Sequence, residues 1–345
     1  MNKPEPTQFR EQSRKNSDDS AVENSQAHQN FPKNDSKTAE TFYGGQALME
    51  GVMMRGRTAY ALAVRRPDSG IEITDRPIKD AASRSFVLKL PIVRGVVAFG
   101  SSMAVGYKSL AWSAEIAMQG EEPTESKFEQ FLQDKFGDKL MSVLMTVSMV
   151  LAVVLMLGLF MLLPAWIGTL IGAGAWVGAV EGLVRITLFV AYIFLISRMK
   201  DIQRFFQYHG AEHMAINCHE QNLPLTPENV ASCSCLHKRC GTSFMLVVMV
   251  ISMILFMIIR VDTVWMRFVS RILLLPVIAG LAYEVSVKWA GKRDNFLVRA
   301  IIAPGMLLQR MTTAMPDAQQ IEVAVTALER AIAQENGEGG AAVQE

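Results

Sequence analysis

Residues 141–163 read MSVLMTVSMVLAVVLMLGLFMLL, a stretch of 23 residues made almost entirely of Leu, Val and Met. No Asp, Glu, Lys or Arg occurs anywhere from Leu140 to Val180. About 20 apolar residues in a helix cross the hydrocarbon core of a bilayer, so this stretch predicts a membrane span. A buried helix in a soluble protein is the alternative, but an apolar run of this length exceeds typical globular helices.

Three further apolar segments extend the same prediction along the chain. They are Leu183–Ser197, Gly241–Ile259 and Ile272–Tyr283, and the last is short and contains Pro276 and Gly280. Such an interrupted segment is tolerated in a membrane only where neighbouring helices shield its backbone. The expected fold class is therefore mainly α: a polytopic helical membrane protein with about four spans and a small hairpin-containing cytoplasmic part.

The regions outside the predicted bundle differ from it in composition. The expected domains are a disordered N-terminal tail (1–40), a cytoplasmic or interfacial region with a β-hairpin and an amphipathic helix (41–139), the transmembrane bundle with a His/Cys loop at 200–240 (140–290), a C-terminal cytoplasmic helical segment (291–335) and a disordered tail (336–345). The hairpin is predicted from the alternating runs Ala61–Arg65 and Ile71–Thr74, which flank a Pro-Asp-Ser-Gly turn.

The charged residues limit the possible functions and predict how the spans are oriented in the membrane. The chain has 34 basic and 33 acidic residues, so a net charge of +1 gives no field that would recruit nucleic acid. The basic residues that flank predicted spans on one side are Lys127, Lys135, Lys139, Arg198, Lys200, Arg204, Lys238, Arg239, Lys288, Lys292 and Arg293. Positive loops stay in the cytoplasm, which predicts a multi-pass inner (plasma) membrane protein with its N-terminus and His/Cys loop cytoplasmic. Three basic residues in the opposite loop, Arg260, Arg267 and Arg271, argue against this orientation.

Four of the five histidines and all four cysteines fall between residues 209 and 240. This segment opens with His209-Gly210-Ala211-Glu212-His213, an H-x-x-E-H motif. On a helix, residues i and i+4 share a face, so both imidazoles can reach one ion, as in the inverzincin zinc hydrolases. We expect His209 and His213 to bind zinc, or another divalent transition metal, and Glu212 to act as general base.

Three more residues are candidate metal ligands. Glu220 continues the same helical stripe, and His237 and Cys240 have ligand spacing at the start of the third span. The helix is expected to end near Pro224, after which Thr226-Pro227 predicts the cap of a short new helix. The other three cysteines are interpreted as small apolar core residues.

A second unusual segment is GGQALMEGVMMRG at residues 44–56. Its glycines surround Gln46, Glu50 and Arg55, which are further candidate functional residues. Glycine permits conformations that place backbone amides against a ligand. A tight entry into the hairpin is an equally good interpretation.

With these segments the sequence resembles the YqhQ-like membrane proteins, the family designated domain of unknown function 1385. The resemblance covers most of residues 43–330. The motifs that carry it are GGQALMEGVMMRG, LPIVRGVVAFGSSMAVGYKSL, YHGAEHMAINCHE, LTPENV, HKRCGTSF, LLPVIAGLAYE and PGMLLQRMTTAMPDAQQIEVAVTAL. It implies a metal-dependent enzyme without an assigned substrate. His209, Glu212, His213, Glu220, His237 and Cys240 match the recurring polar positions of the family, whereas His219, Cys233 and Cys235 depart from its pattern.

Two functions follow as expectations. The first is a metal-dependent hydrolase at the membrane surface, whose partners are membrane lipid and a lipid-linked or membrane-peptide substrate. The alternative is a non-enzymatic scaffold, regulator or transporter in which a structural metal or thiol cluster staples the loop. The sequence leaves the oligomeric state open.

Overall fold

The computed structural model describes residues 43–78, 92–119, 146–170, 176–259, 263–289 and 296–337, with isolated positions at 86, 88, 90, 143 and 144. The predicted N-terminal tail, and all but two residues of the predicted C-terminal tail, lie outside the described residues.

Four antiparallel strands form one sheet in the order β1-β2-β3-β4. The strands are β1 Gly44–Leu48, β2 Gly51–Arg55, β3 Ala59–Arg65 and β4 Ile71–Pro77. The predicted hairpin is confirmed as β3 and β4, and the glycine-rich segment forms a second hairpin before it. The turn between β1 and β2 places Glu50 at φ 51°, in the left-handed region.

The sheet is covered on both faces because its apolar side chains alternate. Val52 and Met54 point to one face, whereas Leu48 and Met53 point to the other. The helices of the described residues are α1 Val93–Ala117, α2 Thr146–Leu170, α3 Val177–Ile196, α4 Lys200–Glu220, α5 Pro227–Ala231, α6 Gly241–Ile258, α7 Val264–Tyr283, α8 Phe296–Thr312 and α9 Ala318–Glu335. The first face packs against α4 and α9, and the second packs against α1.

Four of these helices are long and apolar enough to cross a membrane: Thr146–Leu170, Val177–Ile196, Gly241–Ile258 and Trp265–Ser286. Two contain or continue into π-helical turns, Gly158–Leu162 within α2 and Glu284–Trp289 after α7. The fourth helix begins before the predicted segment Ile272–Tyr283. Its first turns carry Arg267 and Arg271, which the prediction left out because they are charged. In the structure both form ion pairs with the Glu181 carboxylate of α3. Helix α8 lies within the C-terminal helical segment predicted at 291–335, but the sequence did not predict it as a separate helix.

Small residues bring these helices close together. Gly178 and Gly182 of α3 lie against the α6 backbone at Met257 and the Met253 side chain, so the two helices run antiparallel. Gly280 of α7 approaches the chain just before α1 in the same way. Close packing at small residues is typical of contacts between helices in membranes.

Candidate metal centre

Helix α4 places the H-x-x-E-H residues on one buried face. The helix is continuous from Lys200 to Glu220, and residues 210–216 within it are all buried. At Gly210 the Ala314 carbonyl approaches so closely that a methyl group would collide with it. A backbone hydrogen bond of 2.9 Å, from the Ala314 amide to the Phe206 carbonyl, fixes the following chain on α4. Backbone contacts of Ala314 at Phe206 and Gly210 therefore hold this part of α4 in place.

The loop from α5 to α6 supplies the cysteine. Thr226 caps α5, with Pro227 as its first residue, as predicted. Cys240 is the N-cap of α6, and its sulfur accepts the Thr242 amide hydrogen at 3.4 Å. Buried Gln309 of α8 holds this loop, because it accepts from the His237 amide and donates to the His237 carbonyl, each at 2.9 Å.

Three side chains converge at this point. The ligand atoms of His209, His213 and Cys240 all lie within 4.8 Å of one another. The two imidazole rings are 4.4 Å apart between centroids, and His209 Nε2 lies 3.2 Å from Cys240 Sγ. The predicted sharing of one helix face by the two rings is therefore present.

Backbone carbonyls set the tautomer of both rings. His209 Nδ1 lies 2.7 Å from the Thr312 carbonyl, and His213 Nδ1 lies 2.5 Å from the Cys235 carbonyl. Because a carbonyl only accepts, each Nδ1 must donate, and in the neutral ring each Nε2 then offers a lone pair. This pattern, with the second nitrogen held by a backbone carbonyl, is typical of metal-ligating histidines.

One atom of the group has no hydrogen-bond partner. His213 is fully buried, and its Nε2 is one of the few buried polar side-chain atoms left unsatisfied among the described residues. An unmet buried acceptor is costly, so it requires an explanation such as an ion. Burial, with the nearby His209 ring, lowers the pKa of His213 to about 2 and keeps the ring in its neutral, ligating form.

Glu212 lies directly beside the two rings. Its Oε2 is 3.5 Å from His213 Nε2 and 3.9 Å from His209 Nε2. The residue is 4% exposed, and burial raises the pKa of its carboxyl group to about 7 in spite of the opposing effect of His209. A carboxyl group with this pKa can both accept and release a proton near neutral pH.

Two predicted ligands form a neighbouring pair. His237 Nε2 lies 3.4 Å from Glu220 Oε2, and Glu220 also forms an ion pair with Arg239. The His237 ring is 5.7 Å from the His213 ring, and burial lowers its pKa to about 4. The structure therefore groups Glu220 and His237 next to the three converging side chains rather than among them.

The glycine-rich segment contacts this centre through a residue that sequence reasoning did not single out. A methyl group on Gly45 would lie 2.6 Å from Glu212 Oε1, so only glycine leaves room for the carboxyl group. The three candidates from this segment make other contacts. Gln46 packs on Gly106 of α1, Glu50 forms an ion pair with Arg204, and Arg55 donates to Ser102 at 3.0 Å.

Comparisons with known proteins agree with the sequence motifs. Residues 90–334 match the family model described as "Protein of unknown function (DUF1385)". The chain is 35% identical to "Uncharacterized protein YqhQ" of Bacillus subtilis (strain 168), over 82% of this chain and 90% of that protein. No solved structure matches the chain. From the family match and this relative together, the chain belongs to the DUF1385 family.

Proposed function

We propose that this protein is an integral membrane hydrolase that binds a zinc-type divalent ion through His209, His213 and Cys240 and uses Glu212 as its proton acceptor. The single observation that carries the proposal is the convergence of these three side chains, of which the buried His213 Nε2 has no hydrogen-bond partner among the described residues.

Membrane insertion is supported by what the apolar helices expose. None of the most apolar window of α2 is buried, and large side chains such as Leu155 and Met156 are more than half exposed. Apolar surface of this extent marks contact with lipid or with a partner protein. Glu181 of α3 is ion-paired with Arg271 of α7, and Glu284 is ion-paired with Arg94 of α1, as expected for charges in a medium without water. By the distribution of Lys and Arg, the metal centre would face the cytoplasm at the plasma membrane.

The donor set suits zinc. Two imidazole nitrogens and one thiolate are ligands that zinc prefers, and three protein donors leave a fourth position for water or substrate, as in catalytic sites. A bound ion of this kind supplies Lewis acidity and activates water near neutral pH.

The chain itself orders and buries the reacting groups. The Thr312 and Cys235 carbonyls orient the two imidazoles, and the Gly45 backbone closes over Glu212. Glu212, with its pKa raised to about 7, would take a proton and later return it to a leaving group. Glu212 Oε2 lies 3.5–3.9 Å from both Nε2 atoms, so this proton would stay next to the proposed metal ligands.

One observation favours the structural alternative. Because Glu212 Oε2 lies so close to both Nε2 atoms, the carboxylate could itself be the fourth ligand and close the site. A closed site would staple α4 to the start of α6, where Cys240 is the N-cap. The role of Glu212 therefore separates the two functions.

The test is elemental analysis of the full chain, purified in a neutral detergent, alongside three variants. We expect His213→Ala to lose the bound metal and Glu212→Gln to retain it, while a cellular phenotype of the deletion strain is rescued by the wild type but not by Glu212→Gln. The matched control is His219→Ala, because His219 lies on the same helix but packs on Tyr43, with ring centroids 5.1 Å apart. Loss of metal in Glu212→Gln would favour the structural alternative. Absence of metal in the wild type would contradict both functions.

A further inference from the structure

Three sulfur-containing side chains lie together close to the candidate metal centre. Cys235 Sγ is 3.4 Å from Met214 Sδ and 3.6 Å from Met315 Sδ. The three residues belong to three different segments: Met214 to α4, Cys235 to the loop between α5 and α6, and Met315 to the link between α8 and α9. We call this group the sulfur cluster. Because its members are far apart in the chain, no spacing in the sequence predicts it.

Backbone contacts hold the segments of the sulfur cluster in place. The Ala314 amide donates to the Phe206 carbonyl at 2.9 Å, which fixes the residue before Met315 on α4. The Cys235 carbonyl lies 2.5 Å from His213 Nδ1, one residue before Met214. The three sulfur atoms therefore project from backbone that is already ordered, as a binding site requires.

The sulfur cluster has a buried side and an open side. Met214 is fully buried, Cys235 is half-buried, and Met315 is 65% exposed. Cys235 is a free thiol. The unbranched side chain of a methionine has three rotatable bonds, so the exposed Met315 can swing aside and return. An ion can therefore reach the thiol from the surface of the protein.

The donor atoms suit a soft monovalent ion. Thiolate and thioether sulfur atoms favour Cu(I) over the harder divalent ions. A thiol has one hydrogen, so Cys235 cannot donate to both thioethers at once, and sulfur lone pairs therefore face each other. One thiolate balances the single charge of Cu(I), whereas a divalent ion would leave an uncompensated charge in a half-buried site.

The spacing of the sulfur atoms is close to what one ion needs. With metal–sulfur bonds of about 2.3 Å, the length known for zinc, three sulfur atoms in a plane around one ion are about 4 Å apart. The contacts of 3.4 and 3.6 Å at Cys235 are slightly shorter than this. A small rotation of the exposed Met315 side chain, with a matching shift of the Cys235 thiol, would open the cluster to that spacing.

We propose that the sulfur cluster binds one Cu(I) ion through Cys235 Sγ, Met214 Sδ and Met315 Sδ. The thiol proton leaves to solvent as the Cys235 sulfur binds the ion, and the two thioethers bind through lone pairs, so copper keeps its oxidation state. This site goes beyond the proposed function, because none of its three ligands is a ligand of the proposed zinc-type centre.

The experiment is an anaerobic titration of Cu(I) into the full chain, purified in neutral detergent and incubated with excess zinc. Bathocuproine disulfonate serves as the coloured competitor for Cu(I). We expect each wild-type chain to withdraw one Cu(I) from the competitor, and Cys235→Ser to lose this ion. Met315→Leu removes one sulfur from an exposed side chain and is expected to weaken binding at least about tenfold, since even groups behind metal ligands change affinity by this much.

Two matched controls have the same chemistry outside the sulfur cluster. Cys233→Ser is the control for the thiol, because the Cys233 thiol donates to the Asn229 carbonyl at 3.3 Å. Met199→Leu is the control for the thioether, because Met199 is an exposed methionine at the start of α4. Both should bind Cu(I) like the wild type. Absence of Cu(I) uptake in the wild type, or effects in the controls equal to those in Cys235→Ser and Met315→Leu, would overturn the inference.

Two further measurements separate the sulfur cluster from the zinc-type centre. Cys240→Ser should retain the Cu(I), and X-ray absorption at the copper edge should show sulfur donors without imidazole nitrogen. Cys235→Ser should leave the zinc content unchanged, because the carbonyl that orients His213 belongs to the backbone, which serine retains. Loss of Cu(I) in Cys240→Ser, or nitrogen donors in the copper spectrum, would assign the copper to the other centre and overturn the inference.

Discussion

At the scale of single residues, the candidate site depends on which nitrogen of each histidine is free. Carbonyls of Thr312 and Cys235 hold the Nδ1 atoms of His209 and His213, so both Nε2 lone pairs face Cys240 and Glu212. Every residue type has a backbone carbonyl, so no sequence pattern could have identified these two. The histidines, Glu212 and Cys240 carry their chemistry in the side chain and were therefore recognisable from spacing alone.

Gly45 provides a residue-scale prediction with a control next to it. Gly45→Ala places a methyl group 2.6 Å from Glu212 Oε1 and must displace the carboxyl group, whereas a methyl group at Gly44 meets no atom within 4 Å. We expect Gly45→Ala to lower the free energy of unfolding by about 1–3 kcal/mol and to abolish rescue of the cellular phenotype. Gly44→Ala should behave like the wild type. Thermal unfolding in detergent and complementation check both, and equal behaviour of the two variants would contradict the close contact.

At the scale of secondary structure elements, helix periodicity and caps were predictable, and charge neutralisation was not. The α4 helix, the Thr226 cap of α5 and the hairpin follow from local sequence. The start of α7 does not, because Arg267 and Arg271 are acceptable in an apolar helix only when Glu181 of α3 is known to face them. Helix α8 was not predicted as a separate element, and it contains Pro304 and Gly305, which are typical helix breakers. In the structure, Gly305 is the position at which α8 packs on Ser243 of α6.

The Glu181–Arg271 pair provides an element-scale prediction. Both side chains are almost fully buried, so removing one partner leaves an uncompensated charge inside the bundle. Glu181→Ala is expected to cost about 3–5 kcal/mol of stability and to lower the amount of protein in membranes. Glu115→Ala on α1 is the control, since Glu115 is exposed. Unchanged thermal unfolding of Glu181→Ala would mean that this pair does not hold α3 against α7.

The capped end of α9 gives a second prediction at this scale. Asp317 and Gln320 form a capping box, and α9 packs against the sheet and α4. We expect Asp317→Ala to cost about 1 kcal/mol, because an amide of the first turn loses its acceptor. Glu329→Ala, an exposed position on the same helix, should cost less than the cap variant. Thermal unfolding compares the two, and a larger loss in Glu329→Ala would contradict the role of the cap.

At the scale of the whole molecule, the sheet and α4 form a buried core from which apolar helices extend. The candidate metal centre lies where they meet, because α4 carries the histidines and Cys240 begins α6. The sequence predicted both parts but not how they meet, since contacts such as Gly45 with Glu212 join residues far apart in the chain.

This arrangement predicts the topology across the membrane. Green fluorescent protein fused after Met199, at the end of α3 that leads to the metal centre, is expected to fluoresce in the cytoplasm. Alkaline phosphatase fused after Ile259, at the far end of α6, is expected to be active outside it. The physical reason is that basic loop segments remain cytoplasmic. The reverse pattern of reporter activity would place the metal centre on the outer side.

The most direct test of the central claim is zinc K-edge X-ray absorption on the purified, zinc-loaded chain. The account predicts a mixed shell of nitrogen donors at about 2.0–2.1 Å and one sulfur at about 2.3 Å, with the sulfur contribution lost in Cys240→Ser. A shell without sulfur in the wild type, or a spectrum that Cys240→Ser leaves unchanged, would contradict a metal centre built from His209, His213 and Cys240.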